Sequence, residues 1–140
     1  MNMIMTLNDY RDEAWKNAEE HGFHEKEFNL GERLMLVVSE LSEALEADRK
    51  GMDMAKAVYK KDAEDRPHYQ GAPETCFIPE VMTKEDYQAY VRGTLPEEIA
   101  DTYIRLFDLA GCLKIDLNFH VRAKMHYNKQ RPRLHGKGYG

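Results

Sequence analysis

The 140-residue chain is predicted to be all-α, with a four-helix-bundle-type core. Three observations carry the prediction. Leu34–Lys50, LMLVVSELSEALEADRK, repeats its apolar residues at steps of three and four, the period of an amphipathic helix. Pro96–Leu113 is apolar on most sides, the pattern of a central buried helix. Helix starts and stops punctuate the chain at Thr6, Gly22, Gly51, Thr94 and Asp116. Helices are expected at about 7–20, 30–50, 95–113 and 117–130, in one domain spanning 1–140 with an insertion at 52–94 and a basic tail at 131–140.

Thr6 is a candidate N-cap, with Asp9 in the capping-box place. The first helix follows with Leu7, Tyr10, Ala14 and Ala18 inward, and Gly22 suits a left-handed cap. Trp15, the only tryptophan, lies beside that stripe and reads as core or as a ligand platform. In the second helix Leu34, Val37, Val38, Leu41, Ala44 and Leu45 form the inner stripe, and Gly51 stops it. Met52–Asp65 is polar nearly all round, and Arg66–Pro79 holds Pro67, Gly71, Pro73 and Pro79, an irregular composition. Thr83 caps a short helix reaching Arg92. With Tyr69, Phe77, Tyr87 and Tyr90 the 52–94 segment reads as a packed insertion or a lid. Thr94-Leu95-Pro96-Glu97 is a helix start, with a capping box and a proline where no donor is needed. Asp116 caps the last helix, and Pro132 bars its extension.

Lys+Arg total 20 against Asp+Glu 25, a net charge of -5, which argues against general nucleic-acid binding. No apolar run approaches the ~20 residues of a membrane span. The opening MNMIMTLNDYRDE lacks a basic n-region and a long apolar stretch, so a signal peptide is not expected and a cytoplasmic protein is. Cys76 and Cys112 form no metal or redox spacing, and Cys112, in an apolar run, reads as core.

The chemistry lies in two acid pairs. Glu40 and Glu43 stand one turn apart at the margin of the apolar stripe. Glu46 has Lys50 four positions on, whereas Glu40 and Glu43 have Ala44 and Ala47. Glu98 and Asp101 repeat the spacing on the apolar third helix. Asp101 has Arg105 one turn on as a salt-bridge partner, and Glu98 has only Thr102. Solvated surface pairs are one reading. If the helices pack antiparallel, four carboxylates face one another and require cations. All-oxygen ligation suits Mg²⁺ or Mn²⁺ and not zinc. From Val121 onward Arg122, Lys124, Lys129, Arg131, Arg133 and Lys137 meet no acid. They offset the acidic body or supply counter-charge for a triphosphate. The combination leads to metal-dependent hydrolysis of a phosphoanhydride.

Glu40-x-x-Glu43 followed by Glu98-x-x-Asp101 resembles the ExxE…ExxD signature of the MazG-like all-α nucleotide pyrophosphohydrolases. SELSEALEA, LPEEIADTYIRLFDLAGCLKIDL and KMHYNKQRPRLHGKGY supply the matching context, over about Leu30–Lys50 and Thr94–Tyr139. The resemblance implies a helical bundle forming a homodimer or homotetramer, with Mg²⁺ held by Glu40, Glu43, Glu98 and Asp101. It implies cleavage of a nucleoside triphosphate to monophosphate and pyrophosphate, in a house-cleaning or pool-balancing role. Glu43, with Glu40 beside it, would position the attacking water. Lys124 and Asn128 would contact phosphates or sugar, assisted by Arg131, and Trp15 and Phe28 are candidates for the base. The segment between Glu43 and Glu98 is longer than the usual MazG linker. A dedicated relative, acting on dUTP or phosphoribosyl-ATP, and a non-catalytic helical interaction protein are the alternatives.

Overall fold

The computed structural model describes residues 4–52 and 79–136, with side-chain environments given up to residue 134. It is all-helical: α1 (Leu7–Glu20), α2 (Leu30–Arg49), α3 (Lys84–Tyr90), α4 (Leu95–Cys112) and α5 (Leu117–Lys129). Short 3₁₀ turns occupy Pro79–Val81 and Arg133–Gly136. There is no strand among the described residues. The expectations for residues 53–78, including Cys76 and the proline-rich stretch, and for the tail at 137–140 lie outside the described residues.

Local chemistry sets the boundaries. The Thr6 hydroxyl accepts from the Asp9 N–H at 3.2 Å while the Asp9 carboxylate accepts from the Thr6 N–H at 2.7 Å, a complete capping box. Gly22, at φ 79°, closes α1 by a Schellman pattern in which the Phe23 N–H donates to the Ala18 carbonyl at 3.0 Å. Gly51, at φ 69°, closes α2 in the same way, with the Met52 N–H on the Ala47 carbonyl at 2.9 Å. The start of α2 is capped by Asn29, whose side chain accepts from the Glu32 N–H, a cap the sequence reading did not single out. Thr83 and Asp116 cap α3 and α5 as expected. At the head of α4 the Thr94 hydroxyl accepts from the Glu97 N–H, but the Glu97 carboxylate accepts from Gly93 rather than from Thr94.

The chain divides into two compact units. One comprises Met1–Phe28 and Leu106–Gly140, the other Asn29–Arg105, so α4 contributes residues to each. In the first unit Asn8 ties α1 to the start of α5. Its side chain accepts from the Leu117 N–H at 2.8 Å and donates to Asp116 at 3.0 Å. Arg11 donates to the Ile115 carbonyl at 2.8 Å, and Tyr10 stacks on Phe107 with ring centroids 5.7 Å apart. Gly111 lets α4 approach α1, because a Cβ there would lie 2.8 Å from the Trp15 Cβ.

In the second unit α2 packs closely on α4. The buried residues of α2 are Val37, Glu40, Ala44 and Ala47. The predicted inner stripe is therefore only partly inside: Leu34, Val38, Leu41 and Leu45 are 46 %, 49 %, 47 % and 51 % exposed. The central-helix expectation for α4 is corrected similarly, since Leu109 and Ala110 are buried but Ile99, Tyr103 and Ile104 are exposed. Apolar periodicity states which faces seek cover; it does not supply the element that covers them.

Candidate metal centre and its surroundings

Three carboxylates converge in the second unit. Glu40 and Glu43 lie one turn apart on α2, Glu98 lies in the first turn of α4, and one ligand oxygen from each falls within 4.8 Å of the others. Burial is graded across the group. Glu40 is 6 % exposed, Glu98 is half-buried and Glu43 is exposed. Asp101, one turn further along α4, is half-buried and lies outside that converging trio among the described residues.

Burial and mutual repulsion raise the carboxyls of Glu98 and Asp101. Burial, reinforced by the charges of Glu43, Glu97 and Asp101 and by a hydrogen bond with Glu43, pushes the Glu98 carboxyl from 4.5 up to about 7. Burial also raises Asp101; the charges of Glu40, Glu97 and Glu43 add to this, and Arg105 opposes it. Arg105 was the expected partner of Asp101, but its Nε donates to Glu40 across the helix pair. This answers, for Glu40, how a carboxylate at the core margin is tolerated. Glu97 is engaged elsewhere, accepting from the Tyr87 hydroxyl and from the Gly93 N–H. Glu46 behaves as read, pairing with Lys50 at 3.7 Å on the surface.

A hard divalent cation fits this donor set. Every converging atom is a carboxylate oxygen, and each acid has a second oxygen beyond the one that a neighbour engages. Glu40 would be shared between the cation and Arg105.

The remaining sequence candidates belong to the first unit. The Lys124 Nζ lies 4.8 Å from the centre of the Tyr127 ring and the Arg131 Cζ 5.7 Å from it, so the two cations flank one exposed aromatic. Tyr127 is not singled out by the sequence, although its place three residues after Lys124 puts it on the same face of α5, with Arg131 reaching it from just beyond the helix end. Asn128 Oδ1 is buried and has no hydrogen-bond partner among the described residues. Trp15 packs on Gly111 and faces the His24 ring at 5.3 Å, yet remains 39 % exposed, so both readings of it keep a physical basis. Phe28 is exposed at the end of this unit.

No known protein family, curated protein or solved structure matches the chain.

Proposed function

We propose that this chain is a Mg²⁺-dependent nucleotide pyrophosphohydrolase that converts a nucleoside triphosphate and water to a nucleoside monophosphate and pyrophosphate. The observation that carries the reading is the convergence of Glu40, Glu43 and Glu98 from two helices within 4.8 Å. Carboxylates this close favour a bound cation, because their mutual repulsion is relieved when one is present. When bound, Mg²⁺ supplies charge neutralisation at the phosphates and a more acidic water.

The protein's own groups divide the remaining tasks. Glu40, buried and held by Arg105, fixes the inner edge of the site. Glu43, exposed beside it, would orient an attacking water. Glu98, whose carboxyl is raised to about 7 in the metal-free protein, would give up its proton when the cation binds. Asp101 completes the acid set of the resemblance, as a fourth ligand or through an intervening water. By the resemblance, Lys124 would contact phosphates or sugar, with Arg131 assisting. Asn128 is assigned to a sugar hydroxyl, since its orphaned oxygen accepts a hydrogen bond and an ionised phosphate has none to donate. A homodimer or homotetramer goes with this reading, as does Mn²⁺ as a substitute ion.

The test is pyrophosphate release from a panel of ribo- and deoxyribonucleoside triphosphates, with and without Mg²⁺. Release that requires Mg²⁺ and is lost in Glu43→Gln supports the assignment. Release from phosphoribosyl-ATP or dUTP alone would narrow it to a dedicated relative. One observation favours a second reading. The Arg105–Glu40 pair is what a structural acid cluster would also contain, so a helical interaction protein predicts no Mg²⁺-dependent turnover and no Mg²⁺-dependent stabilisation.

A further inference from the structure

A second cluster lies in the first unit, apart from the acids of α2. His24 stands just beyond the α1 cap, while Asp108 and Cys112 are one turn apart on α4. His24 Nε2 is 2.7 Å from Asp108 Oδ1 and 3.7 Å from Cys112 Sγ, and Cys112 Sγ is 4.0 Å from Asp108 Oδ1. The other ring nitrogen, Nδ1, is 2.6 Å from Glu19 Oε2. The Trp15 ring covers one side of the imidazole, and the His24 and Asp108 side chains are 13 % and 14 % exposed. All three ligand residues are half-buried.

We infer that His24, Asp108 and Cys112 form a binding site for a zinc-class transition metal ion, with Glu19 as the positioning residue for His24. The donor set is one nitrogen, one oxygen and one sulfur, which suits Zn²⁺ or Co²⁺ and is wrong for Mg²⁺. Bonds of about 2.0–2.3 Å at tetrahedral angles require donor separations of roughly 3.3–3.6 Å. The nitrogen–sulfur edge, at 3.7 Å, is within about 0.2 Å of this length. The nitrogen–oxygen edge must open, and the oxygen–sulfur edge close, by about half an ångström. Metal binding replaces the proton between His24 and Asp108 and releases that of the thiol. The Glu19 contact holds the ring by Nδ1 and leaves Nε2 as the ligating atom, the usual support for a metal-bound histidine.

A cysteine–histidine nucleophile pair is disfavoured by the same geometry, because Asp108 occupies the nitrogen that faces the thiol. Three protein ligands leave the fourth position to water or to an external group. The site does not depend on the reading of Glu40, Glu43 and Glu98, which lie in the other unit.

Titration of the metal-free full chain with Co²⁺ tests this. The expected result is a sulfur-to-cobalt charge-transfer absorption saturating at one ion per chain, together with the intense visible bands of a tetrahedral ion. The near-ultraviolet band should persist in Cys76→Ser and vanish in Cys112→Ser, and Glu19→Gln should weaken Co²⁺ binding about 10- to 100-fold. Absence of the charge-transfer band in the folded wild type at excess Co²⁺ overturns the proposal, as does its survival in Cys112→Ser. Should Cys112→Ser not fold, alkylation of Cys112 in the Cys76→Ser protein decides the matter. Slowing by Zn²⁺ is expected, and an unchanged rate refutes the site.

Discussion

Glu40 and Arg105 show how a single pair sets the character of the acid cluster. Glu40 is nearly buried, and its charge is tolerated because Arg105 reaches it from the other helix. Removing the cation while leaving the acid inside exposes the cost of the buried charge. Arg105→Met should therefore destabilise the metal-free protein by about 1–3 kcal/mol, less than a fully buried pair would lose because Arg105 is 37 % exposed. Chemical denaturation with and without Mg²⁺ checks this, and the deficit should shrink when the ion is present. Glu43→Gln sits at the exposed end of the same group and should leave stability within about 0.5 kcal/mol of wild type. Mg²⁺-dependent pyrophosphate release should fall by about 100-fold or more in that variant; unchanged release would remove Glu43 from the site.

Glu98 adds a pH dependence at the same scale. The unfolded chain ionises this carboxyl near 4.5, whereas the folded protein keeps its proton up to about 7. The folded state thus binds the extra proton between those values, and stability falls as pH rises through that window. Thermal melts of the metal-free protein from pH 4.5 to 7.5 should show the decline, which Glu98→Gln should flatten. Saturating Mg²⁺ should remove it as well, since a cation takes over the role of the proton.

At the scale of elements, close approach and uncovered faces make separate demands. The α1–α4 approach in the first unit depends on Gly111, where an added Cβ would press on Trp15. Alanine gains about 1 kcal/mol of helix propensity there. Overpacking costs roughly 1–3 kcal/mol, and because the contact falls on the Trp15 Cβ rather than on a flexible tip, the cost should win. Gly111→Ala should accordingly lower the melting temperature, and an unchanged or raised value would mean that Trp15 shifts freely. On α2, Leu34, Val38, Leu41 and Leu45 recur on one exposed stripe. On the proposed reading a second copy of the chain would cover that stripe. Sedimentation should show a dimer or tetramer in which Leu41→Lys shifts the population towards monomer.

At the scale of the whole molecule, the two units carry different chemistry. One holds an all-oxygen acid cluster, and the other holds a nitrogen–oxygen–sulfur cluster and the basic face of α5. No described helix is long and apolar enough to cross a membrane. Among the described residues no large side chain is fully buried. Ligand linkage should be a visible part of stability: Mg²⁺ at about 100 times its Kd would add roughly 2.7 kcal/mol. A melting temperature indifferent to Mg²⁺ would favour the structural reading of the acids.

The helices were legible in the sequence because their causes are local. Period, caps and stops act within a few residues, so all five helices, α1 to α5, appear within a residue or two of their expected bounds. The Asn29 cap and the Gly93 contact of Glu97 escaped because several polar side chains near a helix start compete for the same N–H groups. The acid spacing on α2 and α4 was likewise local and could be read directly. The partners were not, because they come from far along the chain. Arg105 was paired by spacing with Asp101 and is found on Glu40, 65 residues away in sequence. His24 meets Asp108 and Cys112 across separations of 84 and 88 residues, which no spacing rule reaches. Thus the sequence by itself determined the helices, their apolar faces and the acids offered on each. Only the tertiary structure decided which acids converge, which cation answers Glu40 and which apolar stripes stay uncovered, since those depend on non-local packing.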